Sequence, residues 1–270
     1  MMKSKVNVLK HILGSGWQVK PAGGATGEAY IAQYGEEKIF LKRNSSPFLA
    51  VLSAEGIVPK LLWTKRLENG DVITAQHWLN GRELKAAEMN QQLVAKLLSK
   101  IHRSQELLSM LRRIGKQPLT PEAVLEELFH RTQQNNQYQK EIEPYLDYLS
   151  THIGEVQTDQ FVVCHGDVNH NNWLISDQNR LFLIDWDGAM IADPALDLAM
   201  LLYWYVPDEE WDQWLRSYGI PLTRSLKIRM HWYIVAQTIE SIYWHCERGQ
   251  EEQAKYWMNY LVQLDKQIYH

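Results

Sequence analysis

The sequence predicts an α+β fold in two lobes, a small β-rich lobe followed by a larger, mostly helical one. Three observations carry this. Short alternating segments broken by Gly and Asn fill the first 80 residues, apolar residues recur every three to four positions from about residue 88, and three brief apolar runs interrupt the helical part between residues 161 and 184. The expected division is therefore residues 1–80 and residues 81–270.

A short helix over Val6–Leu13 leads, followed by strands at Trp17–Lys20, Glu28–Tyr34 and Lys38–Arg43. Ser45-Ser46-Pro47 opens a short helix from Phe48. Leu61–Leu67 and Val72–Gln76 flank Asn69-Gly70, which predicts a hairpin whose two central residues both accept positive φ. In the second part, Leu93, Leu97 and Ile101 with Val94 and Leu98 give one apolar helical face. Thr120-Pro121 opens a helix, and Pro144 is expected to interrupt one before Tyr145–Leu149. Strands follow at Phe161–Cys164, Trp173–Ile175 and Leu181–Ile184, and the chain returns to helix after Pro194.

Bulk properties narrow the partners. The 270 residues carry a formal charge of -4 with no dominating basic block, so no nucleic-acid partner is expected. No apolar run approaches a membrane span, so no membrane insertion is expected, and the start lacks the apolar segment of a secretory signal. Cys164 and Cys246 are too few for a disulfide framework, which fits a reducing cytoplasm. Eleven Trp and 13 Tyr against five Phe favour aromatics with a polar handle, suited to a sugar, a base or an amine.

The segment Cys164-His165-Gly166-Asp167-Val168-Asn169-His170-Asn171-Asn172-Trp173 follows one strand, and Leu181–Ile184 delivers Asp185-Trp186-Asp187-Gly188. Phosphoryl transfer needs a carboxylate at the acceptor hydroxyl and oxygen ligands holding Mg²⁺ against nucleotide phosphates. The interval from Asp167 to Asn172 matches an H-x-D-x-x-x-x-N catalytic loop, with Asp167 as base, His165 as its companion, and Asn172 and Asp185 as metal ligands. Gly23, Gly24 and Gly27 let backbone N–H groups approach phosphate, Thr26 adds a hydroxyl, and Lys42 ends the next strand within reach of the α/β-phosphates. ATP and Mg²⁺ are the cofactors this chemistry calls for. A metal-dependent phosphoesterase would use His165, Asp167 and His170, but lacks a later His-rich cluster and leaves Lys42 unexplained.

Together these residues resemble the aminoglycoside phosphotransferase and choline kinase family, which implies a protein-kinase-like fold. The likeness runs through Asp193-Pro194-Ala195-Leu196-Asp197-Leu198-Ala199 and Leu98–His102, and Gln76–Gly81 resembles the family's hinge, so Gln76 and Trp78 are expected at the adenine. Ser46–Leu49 and the loop ending in Asn172-Trp173 resemble the CcrZ/YtmP-type branch of Gram-positive bacteria. That implies a ribose, deoxyribose or ribosyl nucleoside as acceptor and a link to the cell cycle; a regulatory protein partner goes with a scaffold reading. A choline- or aminoglycoside-type kinase and a weakly active regulatory scaffold are the alternatives. One feature departs from the family: Ser45–Leu52 has no acid to pair with Lys42, and Glu55 comes late. For the acceptor pocket, Trp204 and Trp232 supply stacking walls, and Asp187 and Glu240 take hydroxyl or amine protons. Asp208-Glu209-Glu210 reads as a helix N-terminus favoured by the dipole.

Overall fold

A computed structural model describes residues 2–23, 28–135 and 137–268. They divide into two compact units, both discontinuous in sequence: residues 1–84 with 170–187, and residues 85–169 with 188–270.

In the first unit, α1 (Met2–Leu13) precedes β1 (Gln18–Gly23), β2 (Ala29–Tyr34), β3 (Glu37–Arg43), α2 (Phe48–Ala54), β4 (Leu61–Arg66) and β5 (Val72–His77). The strands form an antiparallel sheet in the order β1-β2-β3-β5-β4. Alternation sets its faces. Tyr30 and Ala32, Ile39 and Leu41, and Ile73 and Ala75 are buried with Leu9 of α1, so the next residues along each strand face the other way. Lys42 is one of these, directly after Leu41. Pro21 sits on edge strand β1 beside a register shift, where a missing N–H costs least.

The Asn69-Gly70 turn differs from expectation. Gly70 alone takes positive φ (88°), Gly70 N–H donates to Leu67 O, and Leu67 N–H donates to Asp71 O. This is a three-residue turn closed by a left-handed glycine, and the side chain of Asn69 bonds Asp71 instead of adopting the second left-handed position.

A second sheet of this unit joins β6 (Gly81–Glu83), β8 (Trp173–Ser176) and β9 (Leu181–Leu183) in the order β6-β8-β9, β7 being a strand of the other unit. Gly81 is required here, because an added Cβ would run into Ile175 O and Ser176 Cα.

The second unit holds α3 (Gln92–Arg103), α4 (Gln105–Arg113), α5 (Pro121–Gln134), α6 (Gln139–Thr151), α7 (Ala195–Tyr205), α8 (Trp211–Tyr218), α9 (Arg224–Glu247) and α10 (Glu251–Ile268), with β7 (Val162–Cys164) antiparallel to β10 (Met190–Ala192). Side-chain oxygens of Ser104, Thr120 and Thr223 accept the first free N–H groups of α4, α5 and α9. Asp208–Glu210 forms a single tight turn that leads directly into α8. Pro144 does not interrupt its helix. It lies inside α6, where Ile142, Leu146 and Leu149 are buried at helical spacing, and their burial outweighs the one backbone bond that proline cannot donate.

Among the described residues no helix is long and apolar enough to cross a membrane. α7 is buried nearly all round, and α9 packs against α7 and α10.

Within α9, His231 is buried, with Nδ1 3.1 Å from the Tyr203 hydroxyl and Nε2 unpartnered. Burial, then the charge of His152, pushes its pKa down from 6.5 to about 4. A histidine held neutral in the fold takes up its proton more readily when unfolded, so stability declines as pH falls from 6.5 toward 4, by up to about 3 kcal/mol. Urea midpoints of the parent should therefore drop more than those of His231→Leu between pH 7 and pH ~4.5. Parallel pH profiles for the two proteins would contradict this.

Candidate active site

The site is built from the ends of short strands. In the β8–β9 hairpin Trp173 pairs with Leu183, which sets Asn172 and Ile184 side by side, and Ile184 N–H donates to Asn172 O at 2.8 Å. The register alone thus brings Asn172 and Asp185 to one end of the hairpin. Asp185 adopts φ 64°, a left-handed backbone that costs free energy for any residue with a Cβ but that Asp tolerates better than most. The next residue, Trp186, is buried, donates its indole N–H to Leu183 O at 2.8 Å, and meets Phe48 of α2 edge-on at 5.8 Å. That anchor holds the turn.

Lys42 reaches this turn. Its ammonium lies 2.9 Å from both carboxylate oxygens of Asp187 and 3.3 Å from Asp185 Oδ1. Both carboxylates are more than half exposed, while Lys42 is 21% exposed.

The loop carrying Asp167 belongs to the second unit and is held from below by Asp197 of α7. Asp197 Oδ2 accepts His165 N–H (2.8 Å) and Oδ1 accepts Gly166 N–H (2.9 Å). Its Oδ2 also lies 3.1 Å from His102 Nε2, whose Nδ1 is 2.7 Å from the Tyr218 hydroxyl. A carboxylate only accepts, so His102 donates from Nε2 to Asp197. Burial pushes the Asp197 carboxyl up, but the hydrogen bond and charge of His102 outweigh it and leave the pKa lowered. Gly166 takes φ 81° with Met190 close against it, and Asp167 projects to the surface. Asp167 N–H donates to His165 Nδ1 at 3.2 Å, and Asn169 Nδ2 donates to Asp167 Oδ1 at 2.5 Å. A second buried carboxylate, Asp193, accepts Ala195 N–H at the start of α7 and two 2.7 Å bonds from Arg229. Burial raises its pKa against the opposing Arg229 charge.

Comparison with known proteins gives the family. Residues 18–227 match the model of the phosphotransferase enzyme family (APH). The chain belongs to that family. It is an enzyme, a phosphotransferase, with a protein-kinase-like fold. Choline kinase LicA from Streptococcus pneumoniae shares the fold at a TM-score of 0.72 and 17% identity, over 97% of this chain and 98% of the other. Spectinomycin phosphotransferase APH(9)-Ia, solved with ADP and spectinomycin, gives 0.67 and 18%, over 97% and 93%. The GDP complex of aminoglycoside 2'-phosphotransferase-IIIa gives 0.70 and 12%, over 98% of each chain.

Against this frame of contacts the residues singled out in the sequence fall into distinct places. Gly23 ends β1 opposite Ala29, while Gly24 and Thr26 lie outside the described residues. Gln76 is not free to meet a ligand with its side chain: it is buried in β5 and its Nε2 donates to Pro59 O at 2.8 Å. Trp78 follows β5, half-buried, with the Lys38 ammonium 5.9 Å from its ring centre. Asp187 is engaged by Lys42. Trp232 is fully buried and donates its indole N–H to Leu149 O at 2.9 Å, so it belongs to the helical core and not to a pocket wall. Glu240 is exposed on α9, 4.0 Å from Arg131, which also meets Glu127 and Glu247. Trp204 is half-buried on α7, 5.4 Å from Trp257. Glu55 is the C-cap residue of α2, and Asp185 and Asp187 lie at Lys42.

Sequence reasoning missed what Asp197, His102 and Tyr218 do together. The signal for two of them was present: Asp197 and His102 are polar residues at positions whose helical neighbours, Leu98, Ile101, Leu198 and Ala199, are apolar. A buried carboxylate and a buried imidazole call for each other.

Proposed function

We propose that this phosphotransferase moves the terminal phosphoryl group of ATP, with Mg²⁺, to a hydroxyl group of a small molecule. The observation that carries the reading is the meeting of Lys42 with Asp185 and Asp187 at the hairpin end that Asn172 shares. Two half-exposed carboxylates already hold one positive charge there, and carboxylate and carboxamide oxygens are the hard donors Mg²⁺ prefers, so the residues fit the ion. Asn172 and Asp185 would hold it. Bound there, Mg²⁺ supplies neutralisation of phosphate charge.

The chain's own residues do the rest. Lys42 binds the α/β-phosphates, the Gly23-Gly24 and Thr26 segment cradles them, and backbone atoms from Gln76 to Gly81 with Trp78 hold adenine. Residues 1–84 with the 170–187 hairpin thus serve the nucleotide and its metal, and the second unit supplies the loop of Asp167 and the acceptor side. Asp167 takes the proton of the acceptor hydroxyl as its oxygen bonds to the γ-phosphorus; the bond to the bridging oxygen breaks and ADP leaves. His165, buried with Nδ1 on the Asp167 amide, shapes the loop from inside.

For the acceptor, the likeness of Ser46–Leu49 and of the loop ending at Trp173 to the CcrZ/YtmP-type branch supports ribose, deoxyribose or a ribosyl nucleoside. The same likeness supports a cell-cycle role; a regulatory protein partner goes with the scaffold reading, and the two cysteines fit a reducing cytoplasm. A cationic acceptor such as choline or an aminoglycoside is the second reading, favoured by the half-buried Trp204 against Trp257. ADP release from Mg-ATP, measured with ribose, deoxyribose, ribonucleosides, choline and aminoglycosides and followed by product mass, tests both. A phosphorylated ribose or nucleoside is expected; turnover with choline or an aminoglycoside alone would overturn the ribosyl assignment.

A further inference from the structure

We propose that Asp187 is the positioning carboxylate for Lys42, a role distinct from contact with the acceptor. The inference rests on the nucleotide reading above and adds to it the means by which the lysine is held.

A lysine that must meet phosphate needs its flexible stem held, because an ammonium on four rotatable carbons loses much conformational entropy on binding. A carboxylate neighbour supplies the restraint. The helix after the lysine strand offers none: α2 reads Phe-Leu-Ala-Val-Leu-Ser-Ala, and Glu55 lies beyond its last residue. Asp187 lies on the same side as the ammonium instead, with both oxygens at 2.9 Å, while the contact to Asp185 is longer at 3.3 Å.

The hierarchy of these distances suits the task. An ammonium has three N–H donors. Two directed at Asp187 fix its place, and the longer one on Asp185 is the weaker restraint, the one that would be released if Asp185 were to hold a metal. Asp187 itself is carried by a short 3₁₀ turn, Trp186–Gly188, whose Trp186 is buried and hydrogen-bonded to Leu183 O, so the carboxylate stands on a fixed base. The spacing is also informative. Asp187 is two residues from Asp185, and one rigid turn therefore sets the proposed metal ligand and the lysine's partner together.

The test is a double-mutant cycle read by calorimetric binding of Mg-ADP to the full chain, comparing the parent, Asp187→Asn, Lys42→Met and the double variant. Asp187→Asn and Lys42→Met should each weaken binding by about 10-fold, and the double variant should bind no more weakly than the weaker single one. Asp187→Glu, which keeps the carboxylate, should recover most of the affinity. Asp187 is 59% exposed, so its variants should melt with the parent. A parent that binds Mg-ADP while Asp187→Asn leaves affinity unchanged, or while the two losses multiply, overturns the positioning role and spares the nucleotide reading. A parent that does not bind Mg-ADP at all overturns the nucleotide reading and the inference with it.

Discussion

Asp167→Asn lowers turnover by about 10²–10⁴-fold while Mg-ATP binding stays near the parent value. The carboxamide has the shape of the carboxylate but cannot accept a proton from the acceptor hydroxyl. The substitution is also mild for the fold. Asp167 is exposed, its own N–H and that of Gly166 are bonded to His165 Nδ1 and Asp197, and the bond that Asn169 donates to Asp167 Oδ1 can pass to the carboxamide oxygen. The loss should therefore appear in the chemical step and not in the melting temperature. Steady-state kinetics with the acceptor found by ADP release, beside calorimetry with ATP, separates the two. An unchanged rate would remove Asp167 as the base.

Asp197→Asn should be the most damaging single-atom change for stability. Three N–H groups converge on this fully buried carboxylate, from His165, Gly166 and His102. A carboxamide keeps one acceptor and turns an NH₂ toward donors, leaving buried groups opposed and unpaired. Breaking a buried charged network in this way costs about 3–5 kcal/mol, which for a chain of this size lowers the melting temperature by about 10 °C. Turnover should fall too, by about 10²-fold, because the backbone that presents Asp167 loses its support. The pH behaviour adds a signature. The pKa of Asp197 is lowered in the fold, so its contribution is present above the ordinary carboxylate range and is lost as pH falls through the folded value. The variant should lack that acid limb. A melting curve within a degree or two of the parent would contradict the network.

The sequence made the strands and the hairpin readable where alternation or a continuous apolar run was long enough. β2, β3 and the Trp173–Ile175 and Leu181–Ile184 runs lie where expected to within a residue or two. β6 escaped because Gly81-Arg82-Glu83 is exposed throughout and offers neither alternation nor an apolar run. Pro144 misled because the local cost of proline was weighed without the three buried residues that hold α6. Lys42 and Asp185 could be singled out by strand position, yet their contact joins residues 143 apart and no local pattern encodes it. The same holds for Asp187: its spacing from Asp185 was visible, its partner was not. Trp232 shows the limit of helical periodicity. α9 is buried over so much of its surface that its apolar residues mark no single face, and neither a core Trp nor a pocket Trp stands out. Trp244 on the same helix is 42% exposed and stacks under Arg248, which the sequence equally did not distinguish.

The central claim is that this hairpin end receives a metal-bound nucleotide, and calorimetry of ATP with and without Mg²⁺ tests it most directly. The parent should bind ATP more tightly when Mg²⁺ is present, and Asp185→Asn should lose that gain while keeping the metal-free affinity. Equal affinities for parent and variant in Mg²⁺ would contradict the account.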